Sequence, residues 1–150
     1  MPAAQAGPTP SPVPWSEDFA CGEMLIDEQH RTLFTHVNQM LAAFDAGEST
    51  QALEHLDELV MHTIEHFRYE EEVLTRSGYP DLREHQRDHM VLLERTLTYR
   101  QDVAKGVTPL AELLQFLVDE VVVKHLIEAD RQYFDDLTRR ASARGMAAGR

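Results

Sequence analysis

Hydrophobic positions in this chain recur with helical rather than strand spacing, and four such stretches follow one another. The first runs from about Asp27 to Phe44, with Ile26, His30, Leu33, Val37, Met40, Leu41 and Phe44 on one stripe. Asp45, Ala46 and Gly47 end it, and Ser49 or Thr50 is expected to cap the next helix. That second helix, about Thr50 to Arg76, turns Leu56, Leu59, Thr63, His66, Glu70 and Leu74 inward, and Ser77 to Pro80 break it. The third, about Asp81 to Lys105, carries Leu82, His85, His89, Leu92, Thr96 and Val103. Gly106 closes it, and Thr108 before Pro109 predicts the cap and first turn of a fourth helix reaching about Arg139. Short links between amphipathic helices predict an all-α fold, an antiparallel up-down-up-down four-helix bundle.

Before the helices, Pro8, Pro10, Pro12 and Pro14 alternate with small residues. Residues 1–14 are therefore expected to form an extended, mobile arm. Trp15 and Phe19 mark an ordered lead-in, so the bundle domain is placed at residues 15–139, with 140–150 as a frayed arginine-rich end.

Composition narrows the function classes. With 150 residues, 43% hydrophobic and 27% charged, the chain is sized for one soluble domain with a single core. A formal net charge of −12 argues against nucleic-acid partners. No apolar run is long enough to span a bilayer, and no secretory signal is read at the N-terminus. The single cysteine, Cys21, excludes an intrachain disulfide and fits a reducing cytoplasm. Cys21 itself is read as incidental, and the chain as a monomer.

The helical stripes contain groups that do not belong in an apolar core. His66 and Glu70, and His85 and His89, are each four residues apart, so each pair shares a helix face. An unpartnered polar group inside a bundle costs ~1–3 kcal/mol, so several together call for a common partner, and a cation satisfies them at once. His125 and Asp130 are five apart, which in a regular helix means a rotation of ~140°. The apolar stripe makes the same jump, from Leu110, Leu114, Leu117 and Val121 to Phe134 and Leu137. A one-residue π-bulge between His125 and Asp130 is therefore expected.

Imidazole and carboxylate donors without thiolate disfavour iron–sulfur and cysteine-rich zinc sites. Suppose that two octahedral irons share Glu70, Asp130 and a solvent oxygen. The five histidines His30, His66, His85, His89 and His125 then fill all but one of the remaining positions, leaving room for one small ligand.

The stretch WSEDFACGEMLIDEQHRTLF from Trp15, HFRYEE from His66, GYPDLREHQRDH from Gly78 and HLIEAD from His125 resembles the hemerythrin family, in particular its single-domain bacterial members. The likeness covers Trp15 to about Leu137. It implies two iron ions, one held by His85, His89 and His125 and the other, with the open position, by His30 and His66. Glu70 and Asp130 would bridge them. It further implies reversible dioxygen binding, the oxygen held as hydroperoxide on the open iron, with no substrate consumed. One departure stands out: four residues before the histidine at position 125 the family often has tryptophan, and this chain has Val121, which would open the pocket or admit water. Phe34, Phe67, Leu117 and Val121 are read as core residues, some of which are expected to wall that pocket. Glu71 and Glu72 are read as a solvated face, one of which could hold the second nitrogen of a ligand histidine. His36 is expected to be exposed, and His55 and His62 to lie at the surface or behind the ligands. An enzyme acting on peroxide or nitric oxide, or repairing iron centres, is the alternative function; a sensory or interaction module is the third. A redox or delivery partner is left open.

Overall fold

The structure, a computed structural model, describes residues 9–129, 133, 135–137 and 139. Its helices are α1 (Met24–Asp45), α2 (Ser49–Ser77), α3 (Leu82–Ala104) and α4 (Leu110–Phe116), the last continuing as a π-helical stretch over Leu117–Ala129. Among the described residues there is no strand, and no helix is long and apolar enough to cross a membrane.

The direction of each helix follows from the order in which it meets two apolar layers. The larger layer includes Leu33, Val37, Leu56, Leu59, Leu114 and Val122. The smaller consists of Cys21, Ile26, Leu74, Tyr79 and Tyr133, with Leu82 packed against it. Along α1 the chain passes Ile26, then His30, then Leu33; along α2 it passes Leu59, then His66, then Leu74. On α3, Leu82 precedes His85 and Leu92 follows, whereas on the fourth helix Val122 precedes His125 and Tyr133 follows. Neighbours thus run in opposite directions, and α1 packs on α2, α2 on α3, α3 on α4 and the π-helical stretch back on α1. The result is the expected all-α bundle, with the histidines between the two apolar layers.

Helix ends depart from the sequence reading in instructive ways. Helix α1 starts before Asp27 because the Glu23 carboxylate accepts the Ile26 amide at 2.6 Å. Asp27, freed from the end position, turns back and accepts the amides of Cys21 at 2.8 Å and Gly22 at 3.1 Å. Helix α2 begins at Ser49 itself, after Glu48, which makes no capping bond with its side chain. Ahead of α4, Pro109 rather than Thr108 occupies the cap position, its carbonyl accepting the Glu112 amide at 3.1 Å. Helix α2 ends as anticipated at Gly78, whose φ of 68° favours glycine and lets the Tyr79 amide reach back to the Leu74 carbonyl.

The arm differs from the expected mobile tail over its described part. From Thr9 onward it lies along α1: Asn38 accepts the Val13 amide at 3.0 Å and donates to the Val13 carbonyl at 2.9 Å. Trp15 and Phe19 then close on Phe34. Residues 1–8 and 140–150 lie outside the described residues.

The fourth helix holds the largest departure. A local bulge after His125 was expected, but the π-helical stretch already begins at Leu117 and runs for 13 residues. Buried pairs Leu117 with Val118, Val121 with Val122, and His125 with Leu126 recur every fourth residue along it, a face that would drift by ~40° per repeat in an α-helix.

Candidate metal centre

Each helix contributes to one buried cluster at the level between the apolar layers. Helix α1 supplies His30, α2 supplies His66 and Glu70, α3 supplies His85 and His89, and the π-helical stretch supplies His125; all are 6% exposed or less. Glu70, His85, His89 and His125 form one group of converging donor atoms, and His30, His66 and Glu70 form another. Glu70 belongs to both.

Its two oxygens divide the histidines between them. Oε1 lies 2.5 Å from His85 Nε2 and 3.2 Å from His89 Nε2. Oε2 lies 2.8 Å from His66 Nε2 and 3.5 Å from His30 Nε2. His30 Nε2 and His66 Nε2 are themselves 3.0 Å apart. Burial alone would raise the Glu70 pKa; the charge of His66 and hydrogen bonds from His30, His66 and His85 outweigh it and hold the carboxylate well below its ordinary range. An ionised carboxylate is thus faced from both sides by imidazole nitrogens aimed at common points. Cations of the kind that imidazole and carboxylate prefer would satisfy these donors together, so the residues fit a metal centre.

Outer contacts fix the ring orientations. His66 Nδ1 meets Gln29 Oε1 at 2.8 Å, which fixes the ring with Nε2 turned inward. His89 Nδ1 lies 3.4 Å from Glu71 Oε1, so Glu71 rather than Glu72 stands nearest a ring, the exception to an otherwise solvated face. Phe67 stacks flat on His89, centroids 3.6 Å apart, and meets His125 edge-on at 5.4 Å. Beside it lies a cavity of ≈ 10 Å³ lined by Thr63, Phe67, Thr96, Leu117 and Val121 among others.

Of the residues singled out from the sequence, the six histidine and glutamate positions named above come together, while Asp130 lies outside the described residues. Phe67, Leu117 and Val121 line the cavity, but Phe34 does not; it packs with Trp15 and Phe19 instead. His36, expected to be exposed, is largely covered, stacking on His62 with centroids 4.7 Å apart. Burial, then the neighbouring His62, lowers the His36 pKa. His55 is half-buried and His62 exposed. Cys21, read as a loop residue, is buried, and burial pushes its thiol pKa far up.

Two functional neighbours escaped the sequence reading. Tyr133 is wholly buried, donates its hydroxyl to Glu70 Oε2 at 2.8 Å and stands edge-on to His85. Its spacing of eight residues from His125 was a usable signal, since the stripe beyond His125 already included Leu137, one turn after Tyr133. Gln29 offered none, because it precedes His30 by one residue and only the packing of α1 on α2 brings it over His66.

Residues 22–137 match the hemerythrin HHE cation-binding domain. The chain is 29% identical over 123 residues to a bacteriohemerythrin of Stenotrophomonas maltophilia, covering 82% of this chain and 80% of that protein. It is 28% identical over 121 residues to a bacteriohemerythrin of Pseudomonas aeruginosa (81% and 78% covered). To a hemerythrin-like protein of Naegleria gruberi it is 26% identical over 124 residues (83% and 92% covered). With a domain match spanning nearly all of the bundle and a buried histidine–carboxylate cluster at its middle, this chain belongs to the hemerythrin family.

Proposed function

We propose that the protein binds dioxygen reversibly at a pair of iron ions held by His30, His66, Glu70, His85, His89, His125 and Asp130. The observation that carries this reading is the division of Glu70, one oxygen facing His85 and His89, the other facing His30 and His66. A carboxylate so placed is suited to bridge two cations, with His125 completing the richer side and Asp130 supplying the second bridge. The poorer side, with two histidines, keeps a position for a small ligand. When bound, the ferrous pair supplies the two electrons that a reversible attachment of dioxygen requires.

The chain's own residues supply the surroundings. Gln29 orients His66 on the side of the open position, and the small, mostly apolar cavity beside Phe67, Leu117 and Val121 keeps the surroundings of the rings dry. Dryness favours binding over reaction because it slows proton delivery. The reading is therefore a non-enzymatic carrier, store or sensor of oxygen, and the free cysteine suits a cytoplasmic setting. Enzymatic use of the same centre on peroxide or nitric oxide is the competing reading.

Anaerobic reduction of the iron-loaded protein followed by exposure to air separates the two. A visible absorption band that forms with oxygen and vanishes on deoxygenation, over repeated cycles, is expected. Rapid irreversible oxidation without a returning band would overturn reversible binding. Fewer than two irons per chain in the fully loaded protein would overturn the ligand set.

A further inference from the structure

A second group of donors stands apart from the central cluster and shares no residue with it: His36, His55 and Glu58. One donor atom from each lies within 4.8 Å of the others. His55 and Glu58, three residues apart, occupy one face of α2, and His36 reaches them from α1. The Nδ1 atoms of His36 and His55 are both shut off from solvent and have no hydrogen-bond partner. Buried polar atoms left unpaired are few in native proteins and cost ~1–3 kcal/mol each. Two in one place, with a carboxylate beside them, point to a missing common partner.

We propose that His36, His55 and Glu58 form a second divalent-metal site, suited to zinc, on the outer face of the α1–α2 pair. His36 Nδ1 and Glu58 Oε2 are 3.7 Å apart, too far for a hydrogen bond. That separation is close to the roughly 3.4 Å between neighbouring ligands of a tetrahedral zinc ion with bonds of ~2.0–2.1 Å. Glu58 is 62% exposed and free to close by the roughly 0.3 Å still needed. Two imidazoles and one carboxylate leave a fourth position to water, since this face is open where the central cluster is sealed. His62, stacked on His36, holds that ring in place. The ion would tie α1 to α2 roughly 10–15 Å along the helices from the connection between them.

The site is tested by titrating zinc into iron-loaded protein in a calorimeter while iron is assayed in the same samples. One zinc per chain should bind in the micromolar range without displacing iron. His55→Gln and Glu58→Gln should each weaken that event by about tenfold or more, with iron content unchanged; Glu58 is exposed enough that its variant keeps the fold. Absence of zinc binding, binding unaffected by both variants, or uptake matched by iron loss would each overturn the proposal.

Discussion

Glu70 is ionised although no part of it touches solvent. A buried carboxylate survives only when its lone pairs are taken up, and here the histidines on α1, α2 and α3 share the task with Tyr133. The Tyr133 hydroxyl is, among the described residues, a contributor that is not a candidate metal ligand, so its role can be isolated. A hydrogen bond to a buried charged acceptor contributes ~1.5–3 kcal/mol. Tyr133→Phe should therefore lower the stability of the metal-free protein by about 2 kcal/mol in urea denaturation, while the iron content of the loaded protein stays at the parental value. An unchanged denaturation midpoint would show that the hydroxyl contributes nothing. At this scale the sequence was legible wherever a residue type was out of place. Histidines and a glutamate on apolar stripes advertise themselves, whereas a tyrosine in a core looks ordinary until its hydroxyl is seen to reach a carboxylate.

Elements were legible to the extent that their pattern was local. All four helices follow from apolar spacing, and Gly78 stops α2 for the reason its conformation demands. What local pattern could not convey was the extent of the π-helical stretch. The jump in stripe between Val121 and Phe134 revealed that a register change exists, but the paired burial from Leu117 onward depends on how closely the other helices pack on both flanks. The arm is a similar case. Alternating prolines correctly exclude a helix, yet nothing in them says that Asn38, on a different element, offers a donor and an acceptor to the Val13 backbone. Each of these bonds is worth ~1 kcal/mol net. Asn38→Ala is thus expected to lose at most ~2 kcal/mol globally. Its main effect should be local, with the Val13 amide exchanging with solvent at least about tenfold faster because the arm opens independently of the bundle. If amide protection at Val13 persisted in the variant, apolar contacts of Trp15 and Val13 alone would have to hold the arm.

For the whole molecule, the position of the cluster between two unequal apolar layers decides how metal and fold are coupled. Every helix sends at least one side chain into the cluster, so a bound ion would tie together elements that otherwise meet through packing and a few side-chain hydrogen bonds. The larger layer is deep enough to hold without that tie, drawing on buried residues of α1, α2, α4 and the π-helical stretch. The smaller layer rests on Cys21, Ile26, Leu74, Tyr79 and Tyr133, and its link to the rest of the bundle runs through the cluster. Removing iron with a chelator should therefore destabilise the protein unevenly. At free metal one hundred times the dissociation constant, the bound form gains ~2.7 kcal/mol. For a chain of this length that corresponds to a fall in Tm of roughly 5–10 °C on stripping. Hydrogen exchange should locate the loss: amides around Ile26, Leu74 and Tyr79 lose protection first, while those around Val37, Leu56 and Leu114 keep most of theirs. A uniform loss across both layers would mean that the bundle opens only as a unit, and an unchanged Tm would mean that the cluster holds its shape without any ion.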